Sequence, residues 1–182
     1  EAYDEETVKK MMAEREKASL QQQESLACGC PGSRSRTIKR ESNTIETTVS
    51  NQDQVSAKRP ESQLRQWPVQ IQLVPANAPY FHNANLLVAS DCTAYAYANI
   101  HQDFMRNRIT LIGCPKLDDT NYADKLTQIL NINNIKSITI LRMEVPCCGG
   151  IVNAVKQALI NSGKMIPWNI VTISTEGEIL ED

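Results

Sequence analysis

The spacing of apolar residues changes character about a third of the way along the chain. From Trp67 to Val74 (WPVQIQLV) apolar and polar residues alternate, which is the period of a half-buried strand. Leu86–Ser90 (LLVAS), Ile109–Ile112 (ITLI), Ile138–Leu141 (ITIL) and Ile170–Ile173 (IVTI) are short runs rich in branched side chains, as buried parallel strands require. Between them the pattern is helical, roughly over Ala94–Phe104, Tyr122–Ile132 and Ile151–Ser162. The last segment places Val152, Val155, Leu159 and Ile160 on one face, and Gly163 follows as a C-cap. Glu176-Gly177 suits the turn of a small closing hairpin. No solenoid-type repeat is visible. Strand and helix in alternation predict an α/β fold: a mostly parallel, open sheet of about five strands, with helices on both faces and right-handed crossovers.

The start of the chain does not share this pattern. Residues 1–60 hold 17 of the hydrophobic residues and residues 61–182 hold 58, so the first stretch cannot build a core of its own. The expected organisation is a polar helix-plus-loop arm over 1–60, then a doubly wound, Rossmann-like α/β domain over 61–182. In the arm, Asp4–Ser19 reads as a short helix with its acidic residues first and Val8, Met11 and Met12 as a thin apolar stripe. Glu5–Lys9 and Glu6–Lys10 are favourable i,i+4 pairs, and a solvated face is the ordinary meaning of such a pattern. Residues 34–60 read as a long loop with one weak strand. A first residue of Glu1 suggests a processed or excised piece.

Charge narrows the partners. A net charge of -2 and a pI near 5.8 lack the basic footprint of a nucleic-acid binder. No apolar run approaches the ~18 residues of a membrane span, and no export signal opens the chain, so a cytoplasmic protein is expected. Homo-oligomerisation stays open. The sequence has no GxGxxG after a strand, no P-loop, no GxSxG and no HExxH.

Six cysteines are the unusual feature. Cys92 follows the LLVAS run by two residues, Cys114 follows ITLI by two, and Cys147-Cys148 follow ITIL and its short extension. All four therefore leave the carboxyl ends of three strands, the edge at which open parallel sheets bind ligands. Helix N-termini beginning there would favour thiolates, and Pro115, Pro146 and Gly149-Gly150 shape turns in which amides can approach sulfur. Cys28 and Cys30 lie in the arm, within Cys28-Gly-Cys-Pro-Gly32.

A lone cysteine at a strand end is most often a small apolar side chain, and neither CxC nor CC has the CxxC spacing of a zinc knuckle. Three loops sending cysteine to one edge is harder to ascribe to packing. Sulfur-only ligation selects zinc, copper(I) or an iron–sulfur cluster. Donors scattered over several loops suit a cubane cluster, with the arm folding back to supply the remaining ligands. His82 and His101 fall in no ligand pattern, Asp118-Asp119 reads as a helix cap, and Lys116, Arg142 and Glu144 flank the cysteines.

The blocks CGCPGS (28–33), ESQLRQWPVQIQLVPANAPYF (61–81), ASDC (89–92), LIGCPKLDD (111–119), RMEVPCCGG (142–150) and VTISTEGEIL (171–180) resemble a family of anaerobe 4Fe-4S ferredoxin or iron–sulfur-binding domain proteins. That family's N-terminal ferredoxin module, with its CxxCxxC runs, has no counterpart in this sequence, so its clusters are not carried over. The resemblance implies electron-transfer company, an anaerobic cytoplasmic setting, and Cys28, Cys30, Cys92, Cys114, Cys147 and Cys148 as the matching residues.

The expected function is an iron–sulfur, [4Fe-4S] or nonstandard, electron-transfer domain that works with a ferredoxin-type module or another redox partner. A redox enzyme with an open coordination site on such a cluster is the alternative, and a structural zinc domain a second one. Cys147 and Cys148 can both face one ligand only if the backbone bends sharply at Pro146 and Gly149-Gly150.

Overall fold

A computed structural model describes residues 34–39 and 60–180. The chain divides into two units, Glu1–Arg34 and Ser35–Asp182, and the description concerns the second. The expected arm helix, Cys28 and Cys30 lie outside the described residues.

Seven strands are present among the described residues. β1 (Arg36–Thr37) and β2 (Gln66–Trp67) form a small antiparallel ribbon. β3 (Asn85–Ser90), β4 (Ile109–Gly113), β5 (Ser137–Met143), β6 (Trp168–Ile173) and β7 (Ile179–Leu180) form one sheet in the order β4-β3-β5-β6-β7. The first four are parallel and β7 returns antiparallel to β6. The α/β fold with about five mostly parallel strands is as the apolar pattern predicts. By chain order the sheet runs second-first-third-fourth-fifth, the flavodoxin-like form of a doubly wound sheet, whose switch point lies between β3 and β5.

Both faces of the sheet are covered because its central strands are apolar on both sides. Leu86, Val88, Ile138 and Ile140 pack with Leu126, Ile129 and Leu130 of α2 (Tyr122–Ile132) and with Ile151, Val152 and Val155 of α3 (Gly149–Ser162). Leu87, Ala89, Leu141 and Ile173 face the other way, onto Ile100, Phe104 and Met105. Each large side chain taken fully out of water in this way contributes about 1.5–3 kcal/mol before entropy is counted. Gly163 ends α3 at φ +63, a left-handed conformation that glycine adopts without Cβ strain. Gly177 turns the β6–β7 hairpin at φ +86.

Two expected elements form differently. The alternating segment Trp67–Val74 is not one strand. After β2 it makes a single rung with β4, Ile71 N–H donating to Ile112 and Ile112 N–H to Val69, and then turns as Leu73 and Val74 both donate to Gln70. Ile71 and Val74 are buried by the turn, while Leu73 is exposed. Nor is Ala94–Phe104 one helix. α1 (Thr93–Ala96) stops at Tyr97, which is extended, and a π-helical turn follows at His101–Met105. The Asp103 carboxylate explains the break: it accepts from Tyr97 Oη at 2.6 Å and Asn99 Nδ2 at 2.9 Å, closing the intervening loop.

α2 begins where Asn121 accepts a hydrogen bond from Ala123 N–H at 3.1 Å. Asp118-Asp119 therefore does not cap this helix, contrary to the sequence expectation. Asn121→Ala is expected to lower stability by about 1 kcal/mol, measured by denaturant titration, with Asn121→Ser recovering most of the loss.

Candidate metal centre

The carboxyl ends of β3, β4 and β5 lie side by side in the sheet, so the loops that leave them share one edge. Cys92 leaves β3 and precedes α1 directly. Cys114 leaves β4 and opens a turn in which its carbonyl accepts from Leu117 and Asp118 N–H. Cys147 and Cys148 follow β5 in a 3-10 turn, Pro146–Cys148, and α3 starts at the next residue. The expected placement of these four residues on one edge is what the sheet order delivers. After Cys114 a turn intervenes, and the helix starts at the expected Tyr122.

Burial sorts the four. Cys92 and Cys147 are exposed, Cys114 is half-buried, and Cys148 is 5% exposed. Successive residues of a 3-10 turn point about 120° apart. Cys147 accordingly faces outward, and Cys148 packs with Leu87, Leu141, Met143 and Ile173. The Cys92 thiol is pushed up in pKa, first by desolvation and then by the charges of Cys148, Cys114, Asp91 and Cys147. All three other cysteines thus lie within electrostatic reach of Cys92, with Cys148 felt most strongly. Mutual repulsion of this kind is relieved when a cation takes the thiolates. Among the described residues no three His, Cys, Asp or Glu side chains are disposed to hold one metal ion.

Close packing fixes the loops. A Cβ on Gly150 would stand 2.7 Å from Pro115 Cβ, so the Cys114 loop rests directly on the first turn of α3. A Cβ on Gly177 would stand 2.4 Å from the Ala96 carbonyl oxygen, so the hairpin seats against the end of α1. Glu144 Oε1 accepts from Thr175 N–H at 2.7 Å and from Thr175 Oγ1 at 3.0 Å, tying the end of β5 to the same hairpin.

A polar layer lies beneath the Cys114 turn. Asp118 Oδ2 accepts from Cys114 N–H at 3.4 Å and from the Tyr122 hydroxyl. Burial and the Asp118 carboxylate raise the Tyr122 pKa, so its proton stays in place to donate. Asp91 is raised by burial and by the charge of Asp118, with a hydrogen bond from Gln70 opposing. The link from Asp118 to Tyr122 has no sequence signal beyond an i,i+4 spacing.

His101 and Arg142 have structural partners. His101 Nδ1 accepts from Gln63 N–H at 3.1 Å, and Arg142 Nε donates to Thr172 Oγ1 at 3.1 Å. Lys116 is exposed. Among the described residues no helix is long and apolar enough to cross a membrane.

A family model described as a Rossmann-like domain matches residues 78–182. An uncharacterized protein of Archaeoglobus fulgidus is 29% identical over 117 residues, which are 64% of this chain and 83% of that protein. No solved structure matches the chain significantly.

Proposed function

Because the chain belongs to the Rossmann-like domain family and carries four cysteines at the ligand-binding edge of that fold, we propose that it is an iron–sulfur cluster-binding electron-transfer domain. One observation carries the reading: Cys92, Cys114, Cys147 and Cys148 come from the ends of three adjacent parallel strands to a single edge. Sulfur donors select a soft centre. A single zinc ion, with bonds of about 2.3 Å, needs sulfurs roughly 4 Å apart. In a [4Fe-4S] cube each thiolate bonds a different iron, so donors from separate loops fit it better.

When bound, a cluster supplies one-electron storage. The chain's own residues do the rest. Cys148 anchors the site in the apolar layer, and the positive end of α3 begins beside it. Cys92 and Cys147 keep the site open to solvent and to a docking partner. With Cys28 and Cys30 the sequence holds six sulfurs, more than the four of one ordinary cube, which suits a nonstandard cluster or ligand exchange with redox state. The resemblance to anaerobe iron–sulfur-binding domain proteins supports a ferredoxin-type module as the partner and an anaerobic cytoplasm as the setting. The same exposure of Cys92 and Cys147 favours, as a second reading, a redox enzyme acting on a small molecule.

Anaerobically purified protein is expected to carry iron and acid-labile sulfide in matching amounts, with an EPR signal on reduction. Zinc without sulfide would overturn the reading. A spectral change or turnover with added small oxidants, in the absence of a protein partner, would move it to the enzyme.

A further inference from the structure

We propose that the amino-terminal side of the sheet holds a second ligand site, which takes a small organic anion bearing a carboxylate or phosphate group. The site is a cavity of about 710 Å3 between the β1–β2 ribbon and the start of β4, walled by Ile38, Lys39, Arg65, Tyr80, Asn107 and Ile109. A recess of about 270 Å3 shares Arg65, Tyr80, Asn107 and Ile109 with it and extends towards Asn83 and Asn85. The larger space lies within the ~300–1,000 Å3 range of small-molecule pockets. It opens at the starts of β3 and β4, whereas the cysteines follow the ends of the strands, so it stands independently of the cluster.

The lining determines the class of ligand. Lys39 and Arg65 bring two positive charges, and the described residues lining both spaces include no carboxylate. These cations come from distant parts of the sequence and are held together by the ribbon: Arg36 pairs with Trp67 and Thr37 with Gln66, and Ile38 N–H donates to the Arg65 carbonyl at 2.7 Å. Two cations lining one mouth give it a positive potential that draws an anion. The guanidinium offers a fork that matches either carboxylate or phosphate.

Tyr80 adds a neutral donor. Its hydroxyl accepts from Ser35 Oγ at 3.4 Å, and burial raises its pKa against the lowering effect of that bond, so the phenolic proton stays available. Asn83 at φ 54 and Asn107 at φ 60 hold left-handed turns just ahead of β3 and β4, a conformation asparagine tolerates better than most residues. Asn83 is pinned further by Asn134 Nδ2 at 2.8 Å. Ile38, Ile109 and the Tyr80 ring form the apolar wall, which calls for a carbon skeleton behind the charge.

The test is titration of the full chain with inorganic phosphate and, separately, with succinate at fixed ionic strength, followed by calorimetry and amide NMR. At least one anion is expected to bind saturably, shifting the amides of Ile38, Asn107 and Ile109. Arg65→Gln and Lys39→Gln should each weaken that binding by about tenfold, while Lys156→Gln on α3 leaves it unchanged. Both substituted side chains are exposed, so the variants should keep the fold, which circular dichroism checks. Which of the two anions binds more tightly identifies the head group. No saturable binding of either, amide shifts elsewhere, or unchanged affinity in Arg65→Gln would overturn the proposal.

Discussion

Cys92→Ala is expected to keep at most about a tenth of the iron and acid-labile sulfide of the unaltered chain after anaerobic reconstitution, since a lost ligand costs at least as much as a lost supporting contact. Its metal-free form should unfold within about 0.5 kcal/mol of the unaltered chain, because an exposed side chain gives up little on truncation. The pairing of these two measurements separates ligation from packing. Cys148→Ala provides the contrast. It is 5% exposed within the apolar layer of Leu87, Leu141 and Ile173, so its metal-free form should lose about 1–2 kcal/mol as well as its iron. Full iron content and an unchanged EPR spectrum in Cys92→Ala would remove that residue from the site. The same result in Cys147→Ala, Cys148→Ala and their double variant would leave Cys28, Cys30, Cys92 and Cys114 as the four-cysteine set.

The second large effect is expected at Gly150, which carries no chemistry. An added Cβ meets Pro115 Cβ at 2.7 Å and Cγ at 3.1 Å, and neither the proline ring nor the first turn of α3 can yield freely. Gly150→Ala should therefore cost about 1–3 kcal/mol and separate the Cys114 loop from the Cys147-Cys148 turn. Iron loading should fall in parallel although every sulfur remains. Pro115→Gly removes both clashing carbons. The double variant Gly150→Ala/Pro115→Gly should then recover loading and be more stable than the two single losses predict, with a coupling of about 1 kcal/mol or more in a double-mutant cycle. Strict additivity would show that the two loops are not spaced by this contact.

The main sheet was legible in the sequence because its strands are self-declaring. Four runs of branched residues mark them, those of β3 and β5 buried on both faces, and the expected limits fall within those of β3, β4, β5 and β6. α2 spans the expected Tyr122–Ile132, since its apolar face repeats regularly. The cysteines were legible for the same reason: fixing where a parallel strand ends also fixes which edge the next residue occupies.

What escaped the sequence depends on contacts between distant or folded-back groups. Ala94–Phe104 has helical spacing, but the Asp103 carboxylate holds Tyr97 and Asn99 in a different turn. Trp67–Val74 alternates as a strand should, yet β4 offers it one rung. Asp118 looks like a cap until the Tyr122 hydroxyl is seen to reach it, which leaves the cap to Asn121. That the strand leading to Cys148 lies beside the strand leading to Cys92 follows from the reversal of strand order between β3 and β5, and no local pattern encodes strand order.

That strand order also sets a timetable for biogenesis. Of the five strands in this sheet β3 is made first, yet it ends up between β4 and β5, so Cys92 gains its neighbours from two later strands on opposite sides. While the chain is still emerging from the ribosome, Cys92, Cys114 and Cys148 are not yet gathered at one edge. The edge exists only once Cys148 has been synthesised and β5 has docked. On the proposed reading a cluster would be delivered only to a finished sheet, and its removal would leave a folded apoprotein that can be refilled. This is the reverse of a zinc finger, in which the metal must arrive before there is a fold.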